Sequence, residues 1–177
     1  SVTVGDRLDD VTGVVGYGFG NFEVLATEAL EVRRRFLPFE VTRLSGRRNA
    51  VTVASYNVLN LSPDTSDDAQ RATLARHIAF NLRAPDIVAL QEIQDNSGQT
   101  DDGVTDASET LQALVDAVVA AGGPVYDFAE VAPADGSGGG VPGGNIRNAF
   151  LYDASRVSLD ALESLDGGAL ADIGVAN

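Results

Sequence analysis

Two short apolar runs, each ending in polar residues, constrain this chain more than any other feature. Residues 51–59 read Val-Thr-Val-Ala-Ser-Tyr-Asn-Val-Leu, and residues 86–93 read Asp-Ile-Val-Ala-Leu-Gln-Glu-Ile. Apolar runs of this length, rich in β-branched residues, are buried-type strands, the kind found in parallel sheets. Between them the sequence predicts a helix over about Ser66 to Arg83. Leu74, Ile78 and Leu82 share one face, Asp67 and Asp68 suit the dipole of the first turn, and Pro85 closes the segment. A second helix is expected to open at Asp106, which with Glu109 has capping-box spacing. Its apolar stripe is Leu111, Leu114, Val115, Val118 and Val119, and Gly122-Gly123-Pro124 stops it. Val125–Val131 and Asn148–Tyr152 are strand-like, and Arg156–Leu159 is a candidate to continue the sheet. This β-α-β-α-β-β order predicts an α/β sandwich with helices over one sheet face, the other face needing a cover.

The first thirty or so residues follow another pattern. Residues 1–32 read as β structure, with Val11–Val15 and Asn21–Leu25 as strands around a glycine-rich turn, Gly16–Asn21. Two or three strands cannot hold a core by themselves. They are expected to be the tail of an upstream β-domain. Residues 33–49, with Arg33-Arg34-Arg35, Pro38 and Ser45-Gly46, read as a linker, and residues 50–177 as the α/β part. The chain lacks Met and starts within a strand-like stretch, so it reads as a processed or excised segment.

Charge and composition narrow the partners. Acidic residues number 26 against 12 basic ones, for a formal net charge of −14. All the basic residues are Arg. Such a surface repels polyanions at long range, the reverse of a nucleic-acid binder's basic footprint. It reflects either a compositional bias or a surface whose repulsion divalent cations offset locally. With no Cys, disulfide and thiol chemistry are excluded. No apolar run approaches the roughly eighteen residues of a membrane span.

Within that framework two residues are placed for chemistry. Asn57 lies where the first apolar strand turns polar, and Glu92 ends an otherwise buried run. A carboxylate there is costly unless it is paired or bound to a metal. Parallel strands would present both residues at one edge, where α/β sheets bind ligands. One carboxylate with one amide oxygen suits Mg2+, which keeps several waters. The alternatives are an Arg salt bridge for Glu92 and a turn role for Asn57. Asp95, Ser97, Gln99 and Asp101 alternate somewhat as in a calcium loop, so the Asp95–Asp106 stretch is either a Ca2+ site or a solvated loop. Gly136–Gly140 has no following Gly-Lys-Ser/Thr, so it reads as a surface loop and not a phosphate cradle.

Residues 55–60 (Ser-Tyr-Asn-Val-Leu-Asn) with residues 85–95 (Pro-Asp-Ile-Val-Ala-Leu-Gln-Glu-Ile-Gln-Asp) resemble the first two signature motifs of the endonuclease/exonuclease/phosphatase superfamily. Residues 143–157 look like its next strand and hairpin. The nearest subgroup is the large bacterial extracellular nucleases, which place a small OB-type β-domain first and carry an Asp/Gly-rich loop after the glutamate. The resemblance implies a partial four-layer, deoxyribonuclease-like α/β sandwich preceded by a short β segment. It implies a secreted, metal-dependent phosphodiesterase acting on DNA or RNA. Glu92 would bind Mg2+, or Mn2+ in its place, and Asn57 would help hold the metal, the attacking water or the scissile phosphate. Asn145 and Arg147 would be phosphate contacts, unless Arg147 serves a structural ion pair.

The departures are specific. The glutamate that supports the catalytic His in the deoxyribonuclease branch is replaced by Ile146. The superfamily's catalytic His, Asp-x-Asn motif and closing Asp-His pair have no counterpart here. The only histidine, His77, lies in the first predicted helix and is expected to be structural or at the surface. The chain alone is therefore expected to be inactive. The rival readings are a phosphatase or sphingomyelinase-type enzyme of the same fold, and a non-catalytic binding module. An incomplete sheet would also leave an edge and a face through which the chain could self-associate.

Overall fold

The computed structural model describes residues 2–35, 37, 39–138 and 143–165. Pro38 of the expected linker, positions 139–142 of the glycine-rich loop and the last stretch beyond 165 lie outside the described residues. The chain divides into two compact units, Ser1–Glu40 and Val41–Asn177.

The first unit is built of two small antiparallel pairs. β1 (Arg7–Leu8) pairs with β4 (Val32–Arg33), and β2 (Gly13–Gly18) pairs with β3 (Asn21–Ala26). Phe19 and Gly20 make the β2–β3 turn with φ of 49° and 80°. Two successive left-handed residues match the twist of a tight hairpin. Tyr17 and Phe22 face each other across it, ring centroids 5.0 Å apart. Its large apolar side chains, Val14, Val15, Phe22 and Val24 among them, are exposed.

In the second unit four strands form one mixed sheet. β5 (Val53–Leu61) runs parallel to β6 (Ile87–Ile93), with Val53 opposite Ile87 and Asn57 opposite Gln91. β8 (Arg147–Tyr152) lies antiparallel on the other side of β6, and β7 (Asp127–Glu130) closes the order β5-β6-β8-β7. The helices are α1 (Asp68–Arg76) and α2 (Ser108–Ala120). A π-turn, His77–Asn81, extends α1 through a 2.8 Å bond from the Leu82 N–H to the His77 carbonyl. The α/β expectation holds at this level.

Period-two alternation decides which strand residues reach the core. Val58, Val88, Leu90, Ala149 and Leu151 point to one face and pack with Leu74, Ala75 and Ile78 from the first helical segment and Leu111, Leu114, Val115 and Val118 of α2. The intervening residues lie on the other face, where Val53 and Phe150 are exposed and Ile87, Ala89 and Tyr152 are half-buried. Among the described residues, no helix is long and apolar enough to cross a membrane.

Three local expectations need correction. Val119 is 43% exposed, because α2 packs through a stripe that ends at Val118. The start of α2 is capped from a distance: the Asn96 side-chain oxygen accepts from the Glu109 and Thr110 N–H groups at 2.9 and 3.3 Å. Asp106 instead accepts from the Ser108 N–H and hydroxyl. Residues 156–159 are not a strand, because the chain turns at Asp153–Arg156 and Arg156 is drawn to the sheet's far end.

That end is clamped by Asp86. One of its oxygens accepts from the Thr52 N–H (2.7 Å) and hydroxyl (2.9 Å), and the other from Arg156 Nε (2.7 Å). Arg156 also donates to the Arg47 and Ala50 carbonyls. The Arg156 hydrogen bond, with those from Thr52, lowers the Asp86 pKa to about 2 although burial opposes it. A depressed carboxylate stabilises the fold above its unfolded pKa of about 3.9, and that contribution is lost as pH falls through 2. Wild type should therefore lose about 2 kcal/mol between pH 5 and pH 2 that Asp86→Asn does not lose. Urea denaturation of both proteins at the two pH values measures the difference. Equal pH dependence would remove Asp86 as its source.

Candidate functional site

The site begins with two backbone irregularities at one level of the sheet. After Asn57 opposite Gln91, the next paired positions are Leu61 and Ile93. Three residues of β5 thus bulge against one residue of β6. Leu59, Asn60 and Glu92 take left-handed φ values of 56°, 54° and 63°. Such a conformation costs a non-glycine residue on the order of 1–3 kcal/mol and persists only when the surroundings enforce it. Asn tolerates it best, through its short polar side chain.

The bulges bring Asn57 and Glu92 together. Asn57 Nδ2 donates to Glu92 Oε1 at 2.7 Å, and Asn57 Oδ1 accepts the Leu59 N–H at 2.9 Å. Asn57 is exposed and Glu92 half-buried, so the pair sits at an open strand end. The Asn57 amide therefore turns its nitrogen to the carboxylate and its oxygen to the backbone, an arrangement that orients Glu92. Among the described residues Glu92 has no Arg partner; the four ion pairs use Asp9, Asp68, Glu130 and Asp86. A half-buried carboxylate with one oxygen fixed fits Mg2+, which takes few protein ligands and retains water.

Further bonds hold the irregular ends. Gln70 of α1 donates to the carbonyls of Val58 (2.5 Å) and Leu59 (2.9 Å). Gln94 Nε2 donates to Asn60 Oδ1 at 3.1 Å, and the Gln94 N–H to the Leu61 carbonyl at 2.9 Å. The sequence reading missed Gln70, Asn60 and Gln94 as parts of this edge. A polar residue on a helix surface or at a strand end carries no signal of which distant group it meets. Beside them a polar hollow of about 480 Å3 is lined by Asn60, Ser62, Asp64, Asp67, Gln70 and Ser97 with neighbouring residues.

Asn145 and Arg147, expected as phosphate contacts, lie near the same strand end, with Arg147 opposite Ile93, but their side chains are used otherwise. Asn145 is 1% exposed and its Nδ2 faces Asp95 Oδ2 (3.0 Å), the Val104 carbonyl (2.7 Å) and Asp135 Oδ1 (3.2 Å). Asp95 is fully buried, and its other oxygen accepts from the Ser97 N–H and hydroxyl. Asn145 thus supplies the hydrogen-bond donor that a buried carboxylate requires. The Arg147 side chain is 2% exposed and pairs with Glu130 at 3.3 Å. Its remaining donors go to the Asn145 and Thr105 carbonyls. A guanidinium so enclosed has no face for a phosphate, so the structural ion pair is the alternative the contacts favour.

The Asp95–Asp106 loop has the same inward character. Asp102 accepts from Ser97 and the Val104 N–H, and Asp106 from Ser108 and Asn96. The Ser108 hydroxyl and N–H, with Asn96, lower the Asp106 pKa. Among the described residues, no group of three or more His, Cys, Asp or Glu side chains is disposed to hold a metal. His77 Nδ1 lies 2.6 Å from the Tyr56 hydroxyl, on the helix-facing side of the sheet. Burial raises the Tyr56 pKa.

The comparisons with known proteins reach only the first unit. Residues 1–35 match the model of a family described as a domain of unknown function, DUF8508. No curated protein and no solved structure matches the chain.

If Asn145 serves Asp95, its loss should destabilise the fold without touching the strand-end pair. Asn145→Ala is expected to cost about 2–3 kcal/mol at pH 7, the penalty for a buried carboxylate stripped of a donor. Urea unfolding measures it. A loss under about 0.5 kcal/mol, the range of an ordinary surface substitution, would contradict the assignment.

Proposed function

We propose that this chain supplies the metal-binding edge of a phosphodiesterase of the endonuclease/exonuclease/phosphatase type, a secreted nuclease acting on DNA or RNA. One observation carries the reading: Glu92 and Asn57, the two residues singled out by the motifs, meet at 2.7 Å on strained strand ends. Strain of this kind clusters at sites where geometry matters more than stability. The paired motifs supply the reaction class, and the β segment ahead of the α/β unit supports nucleic acid as substrate. We infer the four-layer sandwich from the same motifs, with the half-exposed sheet face as the surface a second sheet would cover.

In this reading Glu92 holds Mg2+ or Mn2+ and Asn57 keeps its carboxylate aimed. The ion, when bound, polarises the phosphoryl oxygen and stabilises the leaving group. It also offsets locally the repulsion between an acidic protein and a polyanion. Arg147 and Asn145 contribute by holding the loop between β6 and α2, not by touching substrate. The one histidine is bonded to Tyr56 on the helix-facing side of the sheet, and the sequence has no second histidine to serve as general base beside Glu92.

Two assays of the 177-residue chain test this. Plasmid DNA should be nicked slowly or not at all in Mg2+. An activated diester, bis(p-nitrophenyl) phosphate, has so good a leaving group that a metal-bound water can displace it slowly without a general base, unlike the unactivated diesters on which the chain alone is expected to be inactive. Its Mg2+-dependent hydrolysis should be measurable and fall at least about tenfold in Glu92→Gln, as when an electrostatic contact to the transition state is lost. Equal turnover by wild type and Glu92→Gln would sink the assignment.

A further inference from the structure

The strand-end pair is tied to helix α1 by an unbroken run of hydrogen bonds. Gln70 Nε2 donates to the Leu59 carbonyl at 2.9 Å and to the Val58 carbonyl just before it. The Leu59 N–H donates to Asn57 Oδ1 at 2.9 Å, and Asn57 Nδ2 to Glu92 Oε1 at 2.7 Å. Both backbone polar groups of Leu59 are therefore engaged, one by Gln70 and one by Asn57. Leu59 itself is 70% exposed, so packing of its side chain does little to hold its left-handed backbone.

Resting on the proposed metal-binding role of Glu92, we propose that Gln70 is a positioning residue for that carboxylate, acting through the Leu59 peptide and the Asn57 amide. The physical reason is local. A left-handed Leu relaxes toward ordinary φ unless its peptide groups are pinned, and Gln70 pins the carbonyls on both sides of the strained bond. Once Leu59 relaxes, its N–H leaves Asn57 Oδ1 and the amide is free to rotate. Glu92 then loses the donor that fixes Oε1. The Asn60–Gln94 bond holds the next residue of the bulge and leaves the Leu59 peptide to Gln70.

This relay has a consequence that simple tethering of helix to strand lacks. Loss of Gln70 should weaken cation binding out of proportion to any loss of stability. Partners that orient a metal ligand from behind typically contribute 10- to 100-fold in affinity. Free Mn2+ is measured by its electron paramagnetic resonance signal during titration of the full 177-residue chain. The variants are Gln70→Met, Glu92→Gln and Ile78→Val, the last trimming the fully buried Ile78 beside α1 without reaching the bulge. Gln70→Met is expected to lower Mn2+ affinity about tenfold, with Ile78→Val unchanged at equal or lower melting temperature. Gln70→Ala serves the same comparison if Met packs poorly, since Ala favours the helix. If Glu92→Gln weakens binding but both Gln70 variants stay within twofold of wild type, or weaken it no more than Ile78→Val, Gln70 has no positioning role. If Glu92→Gln binds Mn2+ like wild type, the metal role of Glu92 fails first, and the Gln70 proposal falls with it.

Discussion

The hydrogen bond between Asn57 and Glu92 links the two strand ends on which the proposed site depends. It can form because β5 and β6 are parallel neighbours whose ends fall at one edge, and because both strands break register there. A continued regular ladder would alternate side chains across the sheet and carry Glu92 to the face opposite Gln91. Against β8, Gln91 and Glu92 of β6 oppose Asn148 alone, and this second bulge re-aims Glu92 instead. Its left-handed backbone is the cost, and Gln70 of α1 with Gln94 just beyond β6 hold the neighbouring left-handed residues of β5.

Around this edge the molecule divides its polar groups by burial. The half-buried Glu92 is oriented by one amide and keeps access to solvent. The fully buried Asp95, three residues later, is satisfied by Ser97 and Asn145 and is thereby spent on structure. Arg147 continues that network to Glu130 and the Thr105 carbonyl, joining the loop after β6 to β7 and β8. Asp86 does comparable work at the opposite end of the sheet, where Arg156 and Thr52 hold it ionised. Beside these clamped carboxylates, the Asn57–Glu92 pair stays polar and open to solvent.

Much of this was legible in the sequence where local pattern decides structure. The apolar runs at 51–59 and 86–93 place strands to within two residues of β5 and β6, and the stripe from Leu111 to Val118 places α2. Parallel pairing put Asn57 and Glu92 at one edge, but their contact depends on the register breaks, which the sequence did not show. What stayed hidden depends on contacts distant in sequence. Asn96 caps α2 across thirteen positions, a relation no capping-box spacing can express. Arg156 breaks an expected strand because its partner, Asp86, lies seventy positions away. Asn145 and Arg147 look like exposed phosphate ligands in a polar stretch until the burial of Asp95 shows what they must satisfy. The bulge at 58–60 had only one cue, an Asn at its last position.

The proposed site stands or falls on where a cation sits. Paramagnetic broadening of backbone amide resonances by substoichiometric Mn2+ reads that position directly, since the effect falls steeply with distance from the ion. The strongest broadening should centre on residues 57–60 and 91–93, with residues 86–87 and 153–156 at the opposite end of the sheet least affected. Broadening centred on the Asp95–Asp106 loop, or spread evenly over the acidic surface, would contradict it.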